Sequence, residues 1–498
     1  MKIHCHDCHG PQLPIGIGIR LATVFLSFIL TCLFSFSVRA NESSPGKSVH
    51  APLTSSPSPS DVLIVQLADG AEKEKFKQLL EEVNGKVVDV ISAGTSLKFF
   101  IVQTEPGKAS TVEKRFQNSK EVKSVERNRT YTINDWSNGL NQGTIAQVPS
   151  GTVYANHAGR IKLPVFRYRP IKFKLRPPQK GIPVYTPAAA PPPPAAPPKI
   201  SGIPDDPFFS AQWDLSFMQY SGARLSGKPT GNAVVMYFLD TGITGFPGET
   251  ASGVVQYDFS NPVSPTGAQE GLHDSGFHGT ATSSVAATTD NLVGYSGMAN
   301  FEGNRCIVVM CRISQDGQSA STVSILSALS FICNNQIYGP GPVNLSFGSP
   351  PPNTLNADPN IQSLAQVLTQ KGSLLVLAAG NDGVTDSSPE QFARRVAAIG
   401  SNGILASFSE TGPFFAAAPG VNVPVYTPSG PSVETLGSGT SFAAPRWCAA
   451  IADVMGVLSP AHRVATYADH FVTITAIITA QGWKVPNLQA AVQAAAGN

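Results

Sequence analysis

Residues 233–239, Ala-Val-Val-Met-Tyr-Phe-Leu, form an unbroken apolar run of strand length that ends on Asp240. A strand that is apolar at every position is buried on both faces, and such strands belong to parallel sheets covered by helices on either side. Similar strand-like runs lie at 306–313, 342–345, 374–379 and 396–399, and helical patterning lies between them at 280–287, 322–334 and 361–371. Strands alternating with helices predict an α/β domain built on a doubly wound parallel sheet. Ligands of such sheets bind beyond the carboxyl ends of the strands, which is where Asp240 falls. Taken alone, an Asp after a strand is more often a turn residue.

Two further stretches give Asp240 a context. His278-Gly279-Thr280 opens a run of small residues, 281–287, that can pack as a helix close to a sheet. Gly437-Ser438-Gly439-Thr440-Ser441-Phe442-Ala443-Ala444-Pro445 leads into an apolar run at 447–458 that reads as a buried helix. Ser441 thereby sits at a loop-to-helix junction, where backbone N–H groups lack intrahelical partners and the helix dipole is positive. Each residue has an ordinary reading: Ser441 as a helix cap, His278 as a structural histidine. Together they run in the order Asp, His, Ser. A G-x-S-x-G nucleophile elbow would run Ser, acid, His and would place Gly two residues after the serine, where this chain has Ala443.

These residues resemble the motifs of the subtilisin-like serine proteases, the subtilases. The Asp motif stands as Asp240-Thr241-Gly242, the His motif as His278-Gly279-Thr280 with Asp274 four residues before it, and the Ser motif as Gly439 to Pro445. A fourth segment, Ala378-Ala379-Gly380-Asn381-Asp382-Gly383, is similar to the segment that carries the family's oxyanion asparagine. Weaker likenesses lie at 343–348, 406–409, 412–413 and 418–420, and residues 203–213 are similar to the lead-in of subtilase catalytic domains.

The resemblance implies a serine endopeptidase. Ser441 would be the nucleophile, His278 the base, Asp240 its orienting carboxylate, and Asn381 with the Ser441 backbone N–H the oxyanion hole. Substrate backbone would add as a strand beside Ser346, Phe347 and Gly348 and the segment at 317–319. Ala378, Ala379 and Gly380 would wall the pocket for the residue before the scissile bond. His273 competes as the base but lacks the Gly-Thr that follows His278, and Asp274 is a helper at the His loop. No cofactor is required for this chemistry. A structural calcium is implied near Glu249 and Asn291, two oxygen donors out of the six to eight that calcium takes. The chain departs from the family at Phe277, where Gly is common, at Ala281, where His is common, and at Arg446, where His usually follows the proline.

The rest of the 498 residues allows further domains. Residues 21–38 are apolar, follow Arg20, and end in Val38-Arg39-Ala40, the pattern of a secretory signal peptide cleaved after Ala40. Residues 1–40 are therefore expected to be a leader, with an uncleaved membrane anchor as the alternative, and the product to be extracellular or periplasmic. Cys5, Cys8 and Cys32 go with that leader; Cys306, Cys311, Cys333 and Cys448 could form two disulfides or stay as buried thiols.

After a flexible 41–60, residues 61–135 carry strands at 61–67, 86–91, 97–102 and 122–126 and helices at 72–83 and 109–117. That βαββαβ order is ferredoxin-like, with Gly85 placed to end the first helix. The segment resembles the inhibitory propeptide found ahead of many subtilase domains, the chain's own intramolecular inhibitor, whose tail at 131–135 would occupy the substrate side of the cleft. A linker at 136–202 follows, with eight positive and no acidic residues between Arg160 and Lys180 and then a polyproline spacer. Residues 203–498 form the catalytic domain, closed by a helix near 485–492. A net charge of +2 is too small to imply a nucleic-acid partner, and none is expected. The expected protein is a monomer acting on protein or peptide substrates; an inert subtilase-like binding module and a membrane-tethered processing enzyme are the alternatives.

Overall fold

The computed structural model describes residues 58–94, 96–133 and 204–496, the last span without 205, 207, 227–233, 245–252, 289–293, 300–305, 335–337, 353 and 428–429. The expected leader and the basic, Pro-rich segment lie outside the described residues, as do Glu249 and Asn291. Both described parts belong to one compact unit spanning residues 57–498.

The first part contains strands β1 (Val62–Leu67), β2 (Lys86–Ala93), β3 (Leu97–Gln103) and β4 (Val122–Arg127), with helices α1 (Lys73–Glu82) and α2 (Ala109–Gln117). The sheet is antiparallel in the order β2-β3-β1-β4, the ferredoxin-like arrangement. Period-2 alternation splits β1 between two cores. Leu63 and Val65 pack with Phe76, Leu79 and Phe116 from the helices, while Val62 and Ile64 join Phe99, Ile101 and residues of the larger domain. Both faces of this small sheet are thus covered, which explains four consecutive apolar residues in a six-residue strand.

Helix α1 ends differently from the sequence expectation. Asn84, not Gly85, takes the left-handed conformation, at φ 49°. The Asn84 N–H donates to the Glu81 carbonyl at 3.3 Å and the Gly85 N–H to the Leu80 carbonyl at 2.8 Å, the paired bonds of a Schellman cap. Asn tolerates that region because its short polar side chain can bond locally.

Strand β5 (Thr130–Thr132) leaves the small domain. The larger part then runs through α3 (Trp213–Phe217), α4 (Tyr220–Ser226), β6 (Val234–Asp240), β7 (Gly253–Asp258), β8 (Ala268–Glu270), α5 (His278–Ala287), β9 (Cys306–Arg312), β10 (Ser319–Ser321), α6 (Thr322–Asn334) and β11 (Pro342–Leu345). It continues through α7 (Pro359–Gln370), β12 (Leu374–Ala378), β13 (Ala393–Ile399), β14 (Ala417–Pro419), β15 (Val423–Thr427), β16 (Gly430–Gly437), α8 (Thr440–Val457), α9 (Ala465–Ile474) and α10 (Leu488–Ala495). The eight-stranded sheet has the order β14-β13-β12-β11-β6-β9-β7-β8, parallel except for the β7–β8 edge pair.

Every residue of β6 is buried, and alternate residues feed different layers. Val234, Met236 and Phe238 pack in the core that contains α8, while Val235, Tyr237 and Leu239 pack with α6 and α7. This is a doubly wound α/β domain. Helix α8 is buried along its whole length, so it is a core element and not a surface helix. Cys306, Cys311, Cys333 and Cys448 are all buried free thiols, and burial pushes those of Cys306 and Cys333 up to about 12. Among the described residues no helix is long and apolar enough to cross a membrane.

Arg446, the departure noted after Pro445, is fully buried in α8 and forms an ion pair with the equally buried Asp214 of α3. It also donates to the Val285 carbonyl at the end of α5. Burial pushes the Asp214 carboxyl up and the arginine charge pulls it back. Removing one partner strands the other charge in the core, which costs about 3–5 kcal/mol, whereas an apolar pair of similar volume is close to neutral. In a Ser441→Ala background, Arg446→Met should lose about that much in urea unfolding, and Asp214→Leu combined with Arg446→Met should recover most of it.

Candidate active site

Asp240 closes β6 at the point where strand order turns back, between β9 and β11. This is the switch point at which open α/β sheets form their ligand crevice. Its carboxyl group is fully buried and meets three donors. Oδ1 lies 2.8 Å from His278 Nδ1 and accepts the Thr241 N–H at 2.8 Å, and Oδ2 accepts the Thr282 hydroxyl at 2.9 Å. His278 is the first residue of α5 and has no exposed surface. Thr282 is one helical turn further on, so it faces the same carboxyl group.

This approach requires glycine. A Cβ on Gly279 would lie 2.1 Å from the Gly242 carbonyl oxygen and 3.0 Å from Asp240 Cβ. Gly242, at φ 121°, would in turn meet the His273 carbonyl oxygen at 2.1 Å. Asp274 binds the two loops together. It accepts from the Thr241 hydroxyl at 2.6 Å, from the Thr280 N–H and hydroxyl at 2.7 Å each, and from the Phe277 N–H at 2.8 Å. Its partners are therefore the scaffold around His278 and not the imidazole. Phe277 sits at φ 58°, in the left-handed region that a large side chain adopts only under constraint. His273 is half-exposed and lies against Gln256 and the Gly271 carbonyl, away from Asp240.

Ser441 occupies the second position of α8, after Gly439 as N-cap. Its hydroxyl lies 3.4 Å from the Ser346 carbonyl oxygen, and the Ser346 hydroxyl donates to the Ser441 carbonyl at 3.1 Å. The neighbouring Phe442 and Phe347 rings bracket the imidazole, with centroids 6.4 and 6.2 Å away. Asn381 is held by its oxygen: Oδ1 accepts the Thr440 N–H and hydroxyl, both at 2.9 Å. That leaves the Nδ2 end of the carboxamide as its donor side, 3.5 Å from the position of a Cβ on Gly439. Serine, asparagine and the Asp–His pair thus converge from α8, the loop after β12, and β6 with α5.

The segment leaving the small domain crosses this region. Strand β5 pairs antiparallel with β10, Ser319 facing Thr132 and Ser321 facing Thr130. On its other side Thr132 exchanges two backbone bonds with Gly348, at 2.8 and 2.9 Å, and the Ile133 N–H donates to the Gln318 carbonyl at 2.9 Å. Residues 130–133 therefore form the middle strand between the two segments that sequence reasoning assigned to substrate backbone.

Ala379 is anchored by its N–H on the Val396 carbonyl at 3.1 Å, and Gly380, at φ 122°, has the Glu410 carboxyl group in the place of a side chain, 2.3 Å from where its Cβ would be. Glu410 is a site residue that sequence reasoning missed, as are Thr282 and Thr440. Burial, with Asp382 and Asp386 beside it, pushes the Glu410 carboxyl up to about 8, partly offset by Arg395. Among the described residues no cluster of three or more His, Cys, Asp or Glu side chains could hold a metal ion.

A buried Asp–His pair and a serine at a helix N-terminus, carried on a doubly wound sheet, are the parts from which a serine hydrolase site is built. The profile of the Subtilase family matches residues 207–491. Subtilisin BL of Lederbergia lenta is 32% identical over 247 residues, 49% of this chain and 83% of that protein. Subtilisin Savinase of the same organism gives the same four figures, 32%, 247 residues, 49% and 83%. The thermostable alkaline protease of Halalkalibacterium halodurans is 31% identical over 238 residues, 47% of this chain and 59% of that protein. A solved chain described as proteases from Pseudoalteromonas arctica covers 59% of this chain and 99% of its own at 22% identity, with a TM-score of 0.46. The chain belongs to the subtilase family and is a serine endopeptidase.

The raised Glu410 group makes stability pH-dependent with a definite sign. An acid whose folded value of about 8 lies above its ordinary 4.5 stabilises the fold fully below pH 4.5 and loses that contribution as pH rises towards 8. Measured by thermal unfolding in a Ser441→Ala background, Glu410→Gln should flatten this slope and be more stable than the parent at pH 9, with the difference vanishing towards pH 4.5.

Proposed function

We propose that this serine endopeptidase is an exported enzyme made as a self-inhibited precursor, with Asp240, His278 and Ser441 as its catalytic triad. The observation that carries the triad is the 2.8 Å contact between His278 Nδ1 and Asp240 Oδ1 in a fully buried setting. Asp240 holds the imidazole with its proton on Nδ1, so Nε2 is the base. Nε2 takes the Ser441 proton as Oγ attacks the scissile carbonyl, and the resulting imidazolium gives that proton to the leaving amine. Water then repeats the sequence on the acyl-enzyme. The tetrahedral oxyanion is received by the Asn381 amide and the Ser441 N–H at the positive end of α8.

Ser346, Phe347 and Gly348 would bind substrate backbone as a strand, and Ala378, Ala379 and Gly380 would wall the adjoining pocket. Self-inhibition is supported by β5: a segment of the chain itself holds the backbone bonds of Gly348 and Gln318 that a substrate strand would need. Export is supported by the apolar run at 21–38 and the Val38-Arg39-Ala40 that follows. We take the enzyme to act as a monomer on protein or peptide substrates.

Mass spectrometry of the purified protein beside its Ser441→Ala variant tests the reading. The wild type should be trimmed beyond residue 131 by its own activity and the variant should keep the full precursor mass. Equal, untrimmed masses with no peptide hydrolysis by the wild type would overturn it. In the trimmed enzyme Asn381→Ala should lower kcat by roughly 10²–10³-fold with little change in KM, the magnitude known for the corresponding donor in subtilisin. Asp240→Asn should lower kcat by about 10⁴-fold through loss of the working tautomer.

A further inference from the structure

We propose that Asp358 is a specificity-determining residue, which reads the hydroxyl of a tyrosine in the pocket that Tyr131 fills and so selects peptide substrates with tyrosine at that position. The inference rests on the reading of 130–133 as a strand in the place of substrate.

Tyr131 has no exposed surface and belongs to the same apolar cluster as Phe347, Val323 and Ile361. At the far end its hydroxyl donates to Asp358 Oδ2 at 2.9 Å. Asp358 is 1% exposed and is the N-cap of α7. Its two oxygens do different things. Oδ1 accepts the Asn360 and Ile361 N–H groups, at 2.9 and 3.3 Å, which is all that capping needs. A serine or threonine would serve the helix as well; the second carboxyl oxygen, buried and directed at the phenol, is surplus to it. Burial and the adjacent Asp358 raise the phenol far above its ordinary range, so it stays a donor.

The register locates this pocket relative to the cut. Thr132 faces Gly348 in an antiparallel bridge, so a substrate strand in the same place sets its residue two positions further on opposite Ser346. The Ser346 carbonyl oxygen is 3.4 Å from Ser441 Oγ. The carbonyl under attack then belongs to the third residue after the tyrosine, which makes the tyrosine the fourth residue before the scissile bond. Phenylalanine there would fill the apolar part and leave Asp358 Oδ2 facing it without a donor, a mismatch that discriminates more strongly than a missing methylene does.

The test uses the matured enzyme and two peptides that place Thr-Ile-Asn before the cleavable bond and differ only in tyrosine or phenylalanine ahead of it. The wild type should prefer tyrosine by about 10- to 100-fold in kcat/KM. Asp358→Ser keeps a capping hydroxyl but is too short to reach the phenol. It should bring the ratio to within about twofold, slowing the tyrosine peptide and relieving the phenylalanine peptide of the unpaired carboxylate oxygen. A wild-type ratio near one, which needs no variant to measure, would overturn the inference while leaving the protease intact, and so would a ratio that survives Asp358→Ser. Failure of the wild type to cut either peptide or a denatured protein would overturn the protease reading itself, and this inference with it.

Discussion

A carboxyl group with no solvent contact, at the end of a strand that is apolar throughout, must be surrounded by donors or it destabilises the whole sheet. Asp240 meets that requirement with the Thr241 N–H, the Thr282 hydroxyl and His278, and much of the local design follows. Bringing α5 close enough to supply two of those partners demands Gly279 against Gly242. Keeping the two loops together demands Asp274, whose four closest donors come from Thr241, Phe277 and Thr280. The left-handed Phe277 is tolerated because those bonds determine its backbone. The imidazole is thus oriented by groups that the fold requires for its own electrostatic reasons.

The same economy joins the two domains. Val62, Ile64, Phe99 and Ile101 of the small sheet lie in one continuous apolar cluster with Val323, Leu326 and Leu329 of α6. At the start of α6 the Thr322 N–H donates to the Arg129 carbonyl at 2.9 Å and the Val323 N–H to Asn128 Oδ1 at 3.1 Å. The small domain therefore caps a helix of the larger one while burying its own second face. A separated small domain would expose that face to water, and the larger domain would lose donors' partners at a helix end. Strand β5 extends directly from this contact, so the position of the tail follows from how the small domain is seated.

Much of the architecture was legible because it rests on local pattern. The unbroken apolar run before Asp240 marks β6 as two-face buried, and helix spacing marks α2 and α6 to the residue. Elements without such a signal escaped. Strand β7 lies near the sheet edge and is mostly half-buried, and β16 opens on Gly-Pro, which carries no strand signal. Helix α9 does carry a stripe, with Ala465, Ala468, Asp469 and Val472 buried at helical spacing, but an aspartate within the stripe disguises it. That aspartate is occupied by Arg394 at 2.5 Å and the Trp447 indole at 2.8 Å, partners no local pattern reveals. Around the site, Thr282 could have been inferred from its place one turn after His278. Glu410 could not: only the folded chain brings it against Gly380, thirty residues earlier in sequence.

The account turns on Ser441 being the group that reacts, with the chain's own tail standing in front of it. Labelling with a fluorophosphonate, followed by peptide mapping of the adduct, addresses both parts at once. Protein from which the tail has been removed should carry one adduct per molecule, on Ser441, and the untrimmed chain should label far more slowly. Labelling of another serine, or equal labelling with the tail in place, would contradict it.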